Sequence, residues 1–506
     1  MRPIHCEILD FPYSAETLLR LFRAEPHVFL LQSSQYNEHR GRYSFLGFDP
    51  FDKFVGRDPA AIDALEQKFL VWKALLPVGS FFSRSGSRSP VPFVSGIVGF
   101  WSYDYGRVME GLPSQRPDDL GVPYGFWGFY DRVLALDHKD RRLYVMSTGL
   151  PETSQVLQAR RARGRNQYVV NKLRAAEQNG FLTRGARKAV GAFPEKQARA
   201  GRPVSHLVSN VNRADYLCSV QKALDYIRAG EIYQVNLSQR FTFSLEDAQV
   251  NPVDIYTRLT HLSPGCFGGY LDCGEYQIIS SSPERFLNLK GDTVRTRPMK
   301  GTYPRGKDAV QDHRHLAALI TSPKEKAELL MITDLLRNDI GRVCRYGSVQ
   351  VQQLRHIEQY KTVFQGVAAI KGTLRPDQNA FNLIKACFPG GSITGCPKRR
   401  AMQIIDELEP TQRSVYTGSL GYVDFSGDMD LNILIRTLLQ RETKLDFQVG
   451  GGIVHDSVPE QEYEETLVKA RAMRACLEQL SFLKTPGHKK RSAPAPAAIS
   501  LGGQNW

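Results

Sequence analysis

Lys300, in "TRPMKGTYPRG", and Glu284, in "SSPERFLNL", are an amine and an acid that one hairpin can bring together. The residues between them read as two strand-like runs, Arg285 to Leu289 and Thr293 to Pro298, around a Gly291-Asp292 turn. Such a hairpin folds back on itself. Glu284 and Lys300, nearly equidistant from the turn, are therefore expected side by side at its open end, a proton donor next to an amine.

Two further segments supply carboxylates. "SPKEKAELLMITDLLRND" reads as an amphipathic helix with Glu325 and Glu328 three apart on one face. A second helix is predicted after Asp456 and Ser457, with Pro459 in its first turn, carrying Glu462 and Glu465 at the same spacing. Either pair alone more commonly decorates a solvated face. Brought opposite each other, the four offer oxygen ligands of the kind Mg²⁺ prefers, one or two carboxylates together with water and an anionic substrate. Lys469, four residues after Glu465, either bridges that acid or reaches a substrate carboxylate.

Anion-binding backbone is predicted in two glycine-rich segments. "FPGGSITGCPKRRAM" runs through Thr394 into a helix with Pro397 near its first turn, and Gly450, Gly451 and Gly452 sit in a strand where a ligand can approach the main chain. Taken singly, each is more commonly a turn or bulge. Arg436, in "NILIRTLL", is expected in an apolar strand, where an arginine needs an anionic partner, from the protein or from a ligand.

The chain has 506 residues, 42% of them hydrophobic, enough for a large core. No run reaches the roughly 18 apolar residues of a membrane span, and the opening "MRPIHCEILDF" carries acids where a secretion signal has its apolar core, so a cytoplasmic protein without a membrane partner is expected. The eight cysteines form no CxxC unit or zinc spacing, and none stands in the G-x-C-x-G setting of a glutaminase nucleophile. The net charge of +14 resides in a segment from Gln158 to Arg202 and in the tail after Leu483. Both are poor in aromatic residues, which argues against nucleic-acid binding and for a solvated linker and tail. Four regions follow: 1–157 with many short strands, 158–205 a basic helix and linker, 206–482 carrying the chemistry, and a disordered tail over 483–506.

The segments "IYQVNLSQRF", "SSPERFLNL", "TRPMKGTYPRG", "AELLMITDLLRNDIGRV", "FPGGSITGCPKRRAMQIIDELEP", "GSLGYVDFSGDMDLNILIRTL" and "GGGIVHDSVPEQEYEETLVKA" occur in the order found in chorismate-using enzymes. The chain resembles the anthranilate synthase and aminodeoxychorismate synthase component I family, closely over about 206 to 482 and more loosely before. The resemblance implies an α+β fold of two large antiparallel sheets packed face to face, helices outside, with N- and C-terminal parts intertwined. Aminodeoxychorismate synthases carry lysine in the P-x-K-G-T motif where anthranilate synthases carry alanine. Lys300 therefore implies a 4-amino synthase serving 4-aminobenzoate and folate synthesis. In that chemistry the lysine attacks C2 of chorismate while Glu284 protonates the departing 4-hydroxyl, and ammonia then adds at C4. A lysine attacks only when neutral, which burial or a nearby cation such as Arg297 favours. The alternatives are an anthranilate-type 2-amino synthase and a catalytically silent regulatory homologue.

By the same resemblance, Glu328 and Glu465 are the principal Mg²⁺ ligands, with Glu325 and Glu462 assisting. Gln234, Thr394, Arg436, Lys469 and the amides of Gly450 to Gly452 match substrate-contacting positions. Isochorismate-forming relatives place a lysine base where this chain has Gln234, so ammonia rather than water is the expected nucleophile, drawn from a separate glutamine amidotransferase subunit. Ser33, Arg42, Tyr43 and Phe45 fall where relatives bind tryptophan, a ligand not predicted here. Two departures stand out: Cys266 replaces a proline in "LSPGCFGGY", and Gln365 replaces a histidine that faces the substrate region in relatives.

Overall fold

Short runs of β-branched and aromatic residues pair into two antiparallel sheets, one of 12 strands and one of 10. The computed structural model describes residues 4–34, 41–77, 91–182, 207–245, 250–359 and 363–480. Strands from before residue 150 and after residue 206 share both sheets. In the larger, Phe29–Gln32 pairs with Gly268–Asp272; in the smaller, Gly96–Trp101 pairs with Ser419–Asp424. The two sequence regions thus interleave in one α+β architecture.

The sheets pack face to face through Phe45, Phe93, Val98, Phe100, Leu420, Tyr422 and Leu439. Phe45 of the larger sheet meets Tyr422 of the smaller with ring centroids 5.6 Å apart. Helices cover the outer faces. Ala15–Phe22, Gln155–Gln178, Pro252–Leu262 and Pro459–Leu480 contribute to one outer core, and Ala61–Ala74, Pro323–Gly341, Ala380–Cys387 and Lys398–Leu408 to the other. Strands such as Arg132–Asp137 are buried along their whole length, because one face meets the opposite sheet and the other meets helices.

The basic segment begins as the helix Gln155–Gln178, where Arg165 pairs with Asp131 at 2.8 Å. Part of the charge read as solvated is therefore engaged with the fold. The rest of that linker, 183–205, and the tail lie outside the described residues. No helix among the described residues is long and apolar enough to cross a membrane.

Candidate active site

The expected hairpin forms from Arg285–Lys290 and Thr293–Thr296, with Asn288 opposite Arg295. What carries Lys300 into place is a third strand. Thr293 to Lys300 runs in one unbroken register along Val363–Thr373, from Thr293 opposite Thr373 to Lys300 opposite Gly366. The ladder then bulges at Gly301, whose φ of 75° favours glycine. A side chain at Gly301 would also lie 2.7 Å from Glu325 Oε2.

Burial pushes the Glu284 carboxyl up to about 7, against the opposing pull of the Ser392 hydrogen bond and, more weakly, of the Lys300 charge. Ser392 Oγ donates to Glu284 Oε1 at 2.7 Å. This serine sits in the single 3-10 turn Gly391–Ile393 of the glycine-rich segment, which sequence reasoning singled out for its backbone and for Thr394. The fully buried Thr394 hydroxyl donates to the Gly390 carbonyl at 3.0 Å. An acid with this pKa is half protonated near neutrality. We expect the pH profile of kcat/KM to carry an ionisation near pH 7 that is absent in Glu284→Gln.

The two glutamate pairs also converge. Helix Pro323–Gly341, capped by Ser322, carries Glu325 and Glu328; helix Pro459–Leu480 carries Glu462 and Glu465. Lys300 Nζ stands 3.9 Å from Glu328 Oε2. Burial raises Glu325 and Glu462 above the ordinary carboxylate range, and their neighbours Glu328 and Glu465 respectively add to the rise. Glu465 is lowered despite its burial, chiefly by Lys469. Of its two expected options Lys469 takes the first, pairing with Glu465 at 2.6 Å, and it also donates to the Gly450 carbonyl at 2.9 Å.

The glycine strand threads this cluster. Within Lys444–Ile453, a side chain at Gly451 would lie 3.2 Å from Glu462 Oε2, and one at Gly452 would lie 2.5 Å from Gln234 Nε2 and 3.1 Å from Lys300 Nζ. Glycine here is what lets the lysine and the glutamine approach the main chain. Gln234 is 1% exposed, and neither its amide nitrogen nor its oxygen has a hydrogen-bond partner. Buried polar atoms left in that state mark a place for a ligand or water.

Two sequence expectations are corrected. Arg436 is not inside an apolar strand: it precedes the strand Thr437–Arg441 with a φ of 51°, half-buried, and donates to Ser263 Oγ at 3.2 Å. Arg297 is bound to Glu358, 2.5 Å from Nη2 to Oε1, and so is not a free cation beside Lys300. Gln365 is buried opposite Thr302, one position along its strand from Gly366, the partner of Lys300.

Ser33, Arg42, Tyr43 and Phe45 lie around Phe29–Gln32 and Tyr43–Gly47, which three and four intervening strands respectively separate from the glycine strand in sheet order. Phe45 belongs to the intersheet core, and Arg42 pairs with Asp137 at 2.7 Å and Asp140 at 3.1 Å.

Sequence reasoning missed the buried pair Glu409–Arg413. Arg413 donates from Nε to Glu409 Oε2 at 2.8 Å, from Nη1 to the Ile393 carbonyl at 2.9 Å and from Nη2 to the Asn236 carbonyl at 2.7 Å. The pair ties the Ser392 turn to the strand bearing Gln234. Its i, i+4 spacing was the available signal.

Among the described residues no three metal-ligating side chains already stand close enough to hold an ion. The donor set is nonetheless of the kind that suits Mg²⁺: it is all oxygen, it comes from two facing helices, and burial, with a smaller contribution from neighbouring acids, disfavours the charged form of two of its members, a cost that a cation would offset.

This two-sheet fold is shared with known proteins. Residues 27–475 match the chorismate binding enzyme family, and the chain belongs to it. Aminodeoxychorismate synthase component 1 of Bacillus subtilis is 35% identical over 92% of this chain and 96% of its own. Anthranilate synthase component 1 of Thermus thermophilus is 38% identical over 76% of this chain and 78% of its own. The crystal structure of anthranilate synthase component I from Streptococcus pneumoniae superposes with a TM-score of 0.68 at 29% identity, covering 87% of this chain and 95% of that one.

Proposed function

We propose that this chain aminates chorismate at ring carbon 4, yielding 4-amino-4-deoxychorismate for 4-aminobenzoate and folate synthesis. The observation that carries this reading is Lys300, whose Nζ lies 3.9 Å from Glu328 and beside Gly452 and Gln234, next to a buried acid. In the first step the neutral amine bonds to C2 and the ring double bonds shift. The C4–O bond breaks, and the Glu284 proton leaves with the hydroxyl as water. Ammonia then bonds to C4, the double bonds shift back and the C2–N bond breaks. Lys300 is released, and the surplus proton returns to Glu284. Gln234 cannot act as a base to activate water; its unpartnered oxygen is an acceptor for incoming ammonia.

Glu328 and Glu465, assisted by Glu325 and Glu462, are the residues that would hold Mg²⁺, which supplies positive charge to the substrate carboxylates as electrons move through the ring. We expect Glu328→Gln to abolish magnesium-dependent turnover; full retention in a steady-state assay across magnesium concentrations would remove this assignment. Ammonia is taken to come from a glutamine amidotransferase subunit, in keeping with relatives named as component 1 of a synthase.

A second reading, 2-amino synthase chemistry yielding anthranilate, is favoured by the names of most of the similar relatives, at comparable identity. Incubating the purified chain with chorismate, Mg²⁺ and ammonium and identifying the product by mass and ultraviolet spectrum separates the readings. The 4-amino compound supports the first and anthranilate the second. Unchanged chorismate points to a silent homologue.

A further inference from the structure

Lys324 stands where a helix does not want it. It is the second residue of Pro323–Gly341, in the first turn, where unpaired N–H groups make a cation unfavourable. Its placement is explained by the opposite helix. Lys324 Nζ is 3.7 Å from Glu462 Oε1, and its charge interacts with all four glutamates of the cluster. Three lysines thus serve four carboxylates: Lys300 at Glu328, Lys469 at Glu465 and Lys324 at Glu462.

The three are not equivalent. Lys300 is enclosed, with a side chain 13% exposed, and Lys469, though 46% exposed, is held both by Glu465 at 2.6 Å and by the Gly450 carbonyl at 2.9 Å. Lys324 is 40% exposed, has the longer of the two bridges to the second helix, and can swing into solvent. Glu462 does not depend on it, because Ser457 Oγ already donates to the same oxygen at 2.6 Å.

We infer that Lys324 is a built-in placeholder cation, which holds the two acidic helix faces together without metal and is displaced when a divalent ion enters. The inference rests on the magnesium reading above. Exchanging one lysine charge for a divalent ion takes the cluster of four acids and three lysines from one net negative charge to none. Lys324 therefore competes with the ion, keeping affinity modest and the empty cluster intact.

The test is calorimetric titration of Mg²⁺, and of Mn²⁺ as a second probe, into the full chain without substrate, with melting temperatures measured with and without the ion. Lys324→Met should bind Mg²⁺ about tenfold more tightly than wild type and melt lower without the ion. Lys324→Arg, which keeps the charge, should stay close to wild type in both. Unchanged or weaker binding by Lys324→Met, while the wild type binds, overturns the placeholder role alone. Absence of Mg²⁺ and Mn²⁺ binding in every variant overturns the magnesium reading and this inference with it.

Discussion

Lys300→Ala is expected to lower the rate of 4-amination by about three orders of magnitude or more, with little change in KM. The reason is the leaving group. A ring hydroxyl departs only with a proton and a push of electrons, and the site has one group for each. Glu284→Gln removes the proton donor and leaves the volume and the Ser392 contact in place, so a loss of about 10²- to 10⁴-fold in kcat is expected. Because amine and acid act on the same bond-breaking event, their effects should not add: the double variant should be no slower than the worse single one. Steady-state kinetics on the three variants checks this. Additive losses would mean that the two residues serve separate steps.

The second large effect is on stability. Glu409 and Arg413 are 3% and 2% exposed, and Glu409 Oε1 also accepts from the Ser238 amide at 2.9 Å and the Ser238 hydroxyl at 2.7 Å. Glu409→Ala leaves a buried guanidinium without its counter-charge, which costs about 3–5 kcal/mol. Replacing both residues, by leucine and methionine, should recover part of the loss, because no buried charge then remains. The pair also fixes the Ile393 and Asn236 carbonyls, so the single variant should lose activity along with stability. Denaturant unfolding followed by circular dichroism provides the comparison. A Glu409→Ala protein within 1 kcal/mol of wild type would show that the arginine finds compensation elsewhere.

Much of the fold and site is legible in the chain because its signals are local. The 285–296 hairpin announces itself by its turn and alternation, and the two acidic helices by their caps and 3.6-residue period. Long-range pairing leaves no such trace. Nothing around Lys300 states that Thr293 to Lys300 continues along Val363–Thr373, yet that register delivers the amine to the glutamates. Arg436 sits in an apolar stretch and reads as part of a strand, but a left-handed residue interrupts the chain there. Arg297 is close to Lys300 in sequence but is claimed by Glu358 from a different strand. Ser392, a small residue among glycines, acquires its role only through the acid that the fold brings to it. Glu409 and Arg413 share an i, i+4 spacing but lie past the end of helix Lys398–Leu408, and nothing local shows that tertiary packing buries them.

The central claim is a covalent bond between Lys300 and the ring. Its most direct test is peptide mass analysis of enzyme quenched during turnover with chorismate and Mg²⁺, with ammonium kept low so that the second step is slow. The account predicts an added mass of chorismate less one water on the peptide containing Lys300, absent in Lys300→Ala. Full formation of the 4-amino product with that peptide unmodified throughout turnover would contradict it.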